Sequence, residues 1–178
     1  ALESFERALG LEAGYVDALS NRGNALLALK RTEEALASYE RALQLDPQSE
    51  RVWMNRGDAL AELKRYPEAE ASYERALQLR PGYVEALHHR GMAKLERREW
   101  AGALADIEGA LGLDGNYAEA HNSRGNVLLK LGREEEALAA FERALALRGN
   151  YADALANRGE ALQRLKREEE ALASCEAA

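Results

Sequence analysis

The dipeptide Arg-Gly recurs at one spacing along the whole chain: Arg22-Gly23, Arg56-Gly57, Arg90-Gly91, Arg124-Gly125 and Arg158-Gly159 follow one another every 34 residues. The flanking residues move with it, so that NRGNALLALKRTEEALASYERALQLDP from Asn21 returns as NRGDALAELKRYPEAEASYERALQLRP from Asn55. A fixed period of this length means copies of one supersecondary unit, each too small to bury its apolar face alone and each stabilised by stacking on its neighbours. Residues 16–49, 50–83, 84–117 and 118–151 are four complete units, 152–178 is a truncated fifth, and 1–15 is the second half of a preceding unit, all in one continuous domain.

Within a unit, apolar residues recur at i, i+3, i+4 and i+7 in two stretches, which in the second unit are Arg51–Lys64 and Pro67–Leu79. That spacing predicts two amphipathic helices, A and B. The alphabet agrees, being rich in the helix formers Ala, Leu, Glu and Arg. Pro67 suits the start of B, and the basic pair Lys64-Arg65 complements the dipole at the end of A. Pro81, Gly115 and Gly149 fall where B should end, as a stop or a left-handed cap. The short connections make each unit an antiparallel helical hairpin, so the fold class is all-α. Gly23, Gly57, Gly91, Gly125 and Gly159 lie within helix A, where a glycine costs about 1 kcal/mol relative to alanine. The expected reason is close approach to Ala35, Ala69, Ala103, Ala137 and Ala171 of helix B. One turn further on, Tyr39, Tyr73, Ile107 and Phe141 supply bulk.

Gly at position 8 of the unit, Ala at 20, an aromatic at 24, Ala at 27 and Pro at 32 resemble the tetratricopeptide repeat, and the 34-residue period is that of the same family. The resemblance covers the whole chain, and the wording of the repeats looks like that of bacterial members. It implies a right-handed superhelical solenoid with A helices lining the concave face and B helices outside. The sequence departs from the motif at position 7, where Arg replaces the usual Leu, and at position 32, where Gly115 and Gly149 replace Pro. An arginine stem can still cover apolar surface.

Whatever recurs in every unit is expected to be structural, and a ligand site should show as local departures. The arginines of position 7 are therefore expected to make a repeated contact, with Glu40, Glu74, Glu108 and Glu142 of the B helices as partners; Glu6 belongs to the same series. The resemblance implies that positions 2, 5, 6, 9 and 13 face the groove. The candidate partner-binding residues on that face are Asn21, Asn24, Met54, Asn55, Asp58, His88, His89, Met92, Asn122, Ser123, Asn126 and Asn157. The asparagines form a ladder similar to that of O-linked N-acetylglucosamine transferase superhelices, which hold peptides by the main chain; a carboxamide both donates to and accepts from a backbone. Positions 2, 9 and 13 carry Asp17, Glu85, Glu119, Asp153, Asp58, Glu160, Glu62 and Glu96 against Arg51, Lys130 and Arg164. Neutral or basic segments should therefore be favoured in the groove.

A subgroup of the family grips acidic chaperone C-termini with a carboxylate clamp. Asn24 and Asn55 match that pattern, but Ser20, Glu85 and His89 stand where its cations should be, so nothing would neutralise the carboxylates. His88 and His89 are consecutive, about 100° apart on a helix, and no Cys is near them, which argues against a metal site. Trp53 and His121, both at position 4, read as packing residues between units, and Trp100 as packing between hairpins. A basic ridge runs along the A–B turns: Lys30-Arg31, Lys64-Arg65, Arg97-Arg98, Arg133 and Lys166-Arg167. Helix dipoles account for it, with an anionic partner as the sharper alternative.

No catalytic constellation is present: Ser4, Ser38, Ser72 and Ser174 share one B-helix position and are repeat features, and no phosphate loop or HExxH occurs. No cofactor is expected. A net charge of −7 argues against a nucleic-acid partner, and no apolar run approaches a membrane span. The lone Cys175 reads as a small core residue, and a cytoplasmic location is expected. The leading expectation is a non-catalytic scaffold that binds a protein or peptide in the groove. The alternatives are a substrate-recruiting arm of an O-linked N-acetylglucosamine transferase-like enzyme and end-to-end self-association through uncapped solenoid ends.

Overall fold

The computed structural model describes residues 16–177, except for the side chains of residues 173 and 175–177. The half-unit expected at 1–15, with Ser4 and Glu6, and the side chain of Cys175 lie outside the described residues. Among the described residues there are ten α-helices and no strand. The A helices are α1 (Val16–Ala28), α3 (Glu50–Glu62), α5 (Val84–Glu96), α7 (Ala118–Lys130) and α9 (Ala152–Arg164). The B helices are α2 (Thr32–Leu45), α4 (Tyr66–Leu79), α6 (Trp100–Leu113), α8 (Glu134–Leu147) and α10 (Glu168–Ala177).

The A–B turn is where sequence reading and structure part. Helix α3 ends at Glu62 rather than Lys64, because the chain leaves the helix through a left-handed residue. Lys30, Lys64, Arg98 and Lys166 have φ of 59°, 59°, 63° and 59°, and Gly132 takes the same place in the fourth repeat with φ 71°. The amide of Arg31 donates to the carbonyl of Leu26 at 2.9 Å and that of Lys30 to Leu27 at 2.8 Å. These are the two bonds of a Schellman cap, and the pair recurs from Arg65 to Leu60 and from Lys64 to Ala61. The basic pair is therefore split, with Lys64 as the left-handed cap and Arg65 as the residue that opens α4. Of the two roles expected at Gly115 and Gly149, the helix stop holds, with α6 and α8 ending at Leu113 and Leu147, and the left-handed cap does not. The B helices end instead in extended residues, Asp114 at φ −133° and Arg148 at φ −142°.

The reason for the glycine of helix A also differs from the expectation. A Cβ on Gly23 would stand 2.4 Å from Cε1 of Tyr39, one on Gly57 2.4 Å from Cε1 of Tyr73, and one on Gly125 2.4 Å from Cε1 of Phe141. The glycine seats the ring of position 24, not the alanine of position 20. All three rings are buried to 1% exposure or less. Each of these hairpins thus closes by inserting one aromatic edge into the missing side chain of its partner helix.

The chain divides into two compact units, the first ending at Ala93 and the second beginning at Lys94. In the first, Leu26, Tyr39 and Val52 form one apolar cluster and Met54, Leu60 and Tyr73 another, with Trp53 packed against both. In the second, Ile107, Val127, Leu128, Phe141 and Leu162 form a single core, with Trp100 packed on its edge.

Candidate functional site

The arginines of position 7 make the inter-hairpin contact expected of them. Arg56 reaches Glu40 of the preceding B helix at 3.2 Å, Arg124 reaches Glu108 at 3.0 Å, and Arg158 lies 3.6 Å from Glu142. Sequence reading missed their second partner. Arg22 donates to the Ser38 hydroxyl at 2.6 Å, Arg56 to Ser72 at 2.7 Å and Arg158 to Ser174. Ser38 and Ser72 in turn donate to the carbonyls of Glu34 and Glu68 one turn back. The constant offset of 16 residues between Arg and Ser was the available signal. This arginine ties its own hairpin together and ties it to the one before, so it is framework.

Six of the nine ridge cations, Lys30, Arg31, Arg65, Arg97, Arg133 and Arg167, are paired with carboxylates. Arg31, Arg65, Arg133 and Arg167 each make two hydrogen bonds to the glutamate three residues on, Glu34, Glu68, Glu136 and Glu170, at 2.6–2.8 Å. That bidentate bond holds the four carboxyl groups below the usual glutamate range. It also raises the Arg65, Arg133 and Arg167 guanidinium groups above theirs. Lys30 pairs with Glu62 at 3.1 Å.

The face carried by α1, α3 and the start of α5 holds two polar clusters of the same pattern, one repeat apart. The Tyr39 hydroxyl donates to Asn24 Oδ1 at 2.7 Å, and the Asn55 carboxamide donates to the same oxygen at 3.1 Å and to the Ser20 hydroxyl at 3.3 Å. One repeat on, the Tyr73 hydroxyl donates to Asp58 Oδ1 at 2.9 Å, and Nδ1 of His89 meets that oxygen at 2.7 Å. A side chain at position 9 is therefore held from below by its own repeat's tyrosine and from the side by position 6 of the next repeat. Burial and the nearby Asp58 carboxylate push both tyrosines well above the usual phenol range. In the second unit, Asn157 donates to Asn122 Oδ1 at 3.0 Å.

These contacts sort the candidate residues. Asn21 and Asn24 are exposed, and Asn55, Asp58, His89, Met92, Asn126 and Asn157 are half-buried. Met54, His88, Asn122 and Ser123 are buried, at 4–7% exposure. Met54, His88 and Asn122 share position 5 with the fully buried Ser20, a register that faces the interior rather than the groove. The His88 and His89 rings lie edge to face, 5.5 Å between centroids. Of the acidic residues counted for the groove, Asp17 is paired with Arg51, Glu119 with Arg148 at 2.9 Å and Glu160 with Arg164 at 2.6 Å. Arg51 and Arg164 belong to the same face, so of these three cations only Arg148 offsets its charge from outside. Trp53 and His121 share one contact: the Trp53 indole donates to the Pro47 carbonyl, and Nε2 of His121 lies 3.0 Å from the Gly115 carbonyl. Both therefore tie the start of an A helix to the preceding loop.

Stacked antiparallel hairpins, a structural arginine clasp and a polar A-helix face define an α-solenoid of the kind that serves as a protein-interaction scaffold. The tetratricopeptide repeat profile matches residues 16–49, 50–83 and 118–151, and a second tetratricopeptide repeat profile matches 135–178. The chain belongs to the tetratricopeptide repeat family, whose members are in general non-catalytic interaction modules. No curated protein matches it. Among solved structures it is similar to YrrB, described as a tetratricopeptide repeat protein with an unusual peptide-binding site, at 26% identity over 99% of this chain and 91% of that one, TM-score 0.76. It is also similar in fold to MamA from Desulfovibrio magneticus RS-1 (21% identity, 89% and 90% covered, TM-score 0.81). A third similar fold is PilW, a type IV pilus biogenesis factor (22% identity, 97% and 80% covered, TM-score 0.90). No described helix is long and apolar enough to cross a membrane.

Proposed function

We propose that the chain is a peptide-binding scaffold that holds an extended segment of a protein partner along the face of α1, α3 and the start of α5. The observation that carries this reading is the network at positions 6 and 9. Tyr39, Tyr73 and Ser20 fix the orientation of Asn24, Asp58 and Asn55 before any ligand arrives. A preorganised polar side chain loses little rotamer freedom on binding, so more of its hydrogen-bond energy appears as affinity. A carboxamide offers two donors and two acceptor lone pairs. Asn24 and Asn55 therefore keep capacity for a peptide backbone beyond their internal bonds.

The contact residues in this reading are Asn21, Asn24, Asn55, Asp58, His89 and Met92. Met92 adds an adaptable apolar contact at the end of the row. In the second unit Asn126 and Asn157 offer the same chemistry. The peptide-binding description of YrrB supports the class of ligand. Asp58 favours a neutral or basic peptide, since the hydroxyl of Tyr73 and the ring of His89 share only one of its oxygens.

Selection of a displayed random dodecapeptide library on the wild-type chain tests this. Selected peptides should bind by their backbones with loose side-chain preference and lose affinity to Asn21→Ala/Asn55→Ala. Equal affinity for that variant would remove the carboxamides from recognition.

A further inference from the structure

The third repeat departs from the others in its interior as well as on its surface. Position 11 of the repeat is a leucine with no exposed area in Leu26, Leu60, Leu128 and Leu162; in the third repeat it is Lys94. The Lys94 ammonium lies 2.8 Å from Asp106 Oδ2, and the two side chains are 17% and 9% exposed. Asp106 stands at position 23, where Ser38, Ser72 and Ser174 accept from the framework arginine.

Room for the lysine stem comes from Gly102, on which a Cβ would lie 3.4 Å from Lys94 Cδ. Gly102 in turn replaces the glutamate of the Arg–Glu clasp, so α6 starts without that bidentate bond. Helix α6 also carries Gly102, Gly109 and Gly112, whereas α2, α4 and α8 carry no glycine.

The pair and the glycines all bear on the packing of one helix, α6. A lysine–aspartate pair taken out of water regains through attraction roughly what it loses in hydration, so it is seldom better than well-packed apolar residues. Each glycine widens the unfolded ensemble of the helix. In a solenoid the total stability is a sum of contributions from each repeat and each junction between neighbours, and the segments that contribute least open first. We propose that the third repeat is a built-in joint: α6, with its Lys94–Asp106 pair, opens locally while the hairpins of α3–α4 and α7–α8 stay folded. The chain thus has a place where it yields without unfolding.

Amide hydrogen exchange on the 178-residue chain tests this. The α6 amides should exchange about tenfold or more faster than those of α4 and α8. Lys94→Leu/Asp106→Ser restores the residues of the other repeats and should slow α6 exchange by about tenfold. The same variant should leave the α2 and α4 amides unchanged. A further variant, Gly112→Ala, meets nothing within 4 Å and should slow α6 exchange through helix propensity alone. The joint is overturned if wild-type α6 exchanges as slowly as α4 and α8. It is equally overturned if neither the double variant nor Gly112→Ala slows it.

Discussion

Gly57→Ala is the sharpest probe of how the hairpins close, because two effects of opposite sign meet at one atom. In a helix interior alanine is favoured over glycine by about 1 kcal/mol, so a site with room would be stabilised. Here the new Cβ would lie 2.4, 2.6 and 2.9 Å from Cε1, Cδ1 and Cζ of Tyr73. Carbon atoms pack at about 3.5–4.0 Å, so the ring would have to retreat by about 1 Å. It has little freedom to do so: Tyr73 is 1% exposed and its hydroxyl is bonded to Asp58 at 2.9 Å. Overpacking of this kind costs about 1–3 kcal/mol, and losing the tyrosine bond would add about 1 kcal/mol. Overpacking and the lost bond together outweigh the propensity gain, and the net expectation is destabilisation by about 1–3 kcal/mol.

The sign should reverse once the ring is removed. In a Tyr73→Ala background, itself destabilised by about 3–5 kcal/mol, Gly57→Ala should stabilise by up to about 1 kcal/mol. Urea unfolding followed by far-ultraviolet circular dichroism reads the cycle, and amide exchange in α3 and α4 reads it locally. A Gly57→Ala variant more stable than wild type with Tyr73 in place would refute the seating of the ring by the glycine.

Further outcomes follow from the same geometry. Lys64→Gly should stabilise by about 1 kcal/mol, because it relieves a side chain held at φ 59°, whereas Gly132→Ala, at φ 71° with open space around it, should destabilise by a similar amount in urea titrations. Arg56→Met should cost about 1 kcal/mol by removing the donor to the buried Ser72 hydroxyl, the half-exposed Glu40 remaining hydrated, and a double cycle with Ser72→Ala should show non-additivity. For pH, the depressed Glu68 carboxyl contributes stability that is present above the usual glutamate range and lost as pH falls through the folded value. Glu68→Gln should therefore flatten the acid limb of a pH–stability curve. Tyr39 and Tyr73 have the opposite sign, their raised values giving stability present below the usual phenol value and lost as pH climbs past it. Phenolate absorbance should show these two ionising only as helicity is lost.

The period, the helical hairpin and the family were legible because they depend on residue spacing, which the chain repeats five times over. What escaped depends on direction. Glycine and alanine at positions 8 and 20 look like a close-approach pair in one dimension, yet the ring of position 24 fills the space. The left-handed cap at position 15 left its ordinary signature only at Gly132; lysine or arginine hides it in the other repeats. Met54, His88 and Asn122 looked like surface departures because they are adaptable or polar, but position 5 is an interior register. Asn21, Asn24 and Asn55 were legible as a row; the tyrosine and serine that orient Asn24 and Asn55 were not, since a hydroxyl in an aromatic or small-residue position reads first as packing.

Whether a peptide lies on the A-helix face is tested most directly by nuclear magnetic resonance mapping, with a selected peptide titrated into protein labelled at asparagine carboxamides, methionine methyls and tryptophan indoles. The largest shifts should fall at Asn21, Asn24, Asn55 and Met92, with the indole of Trp53 unmoved. Shifts confined to the Trp53 indole, with the asparagine carboxamides silent, would contradict that placement.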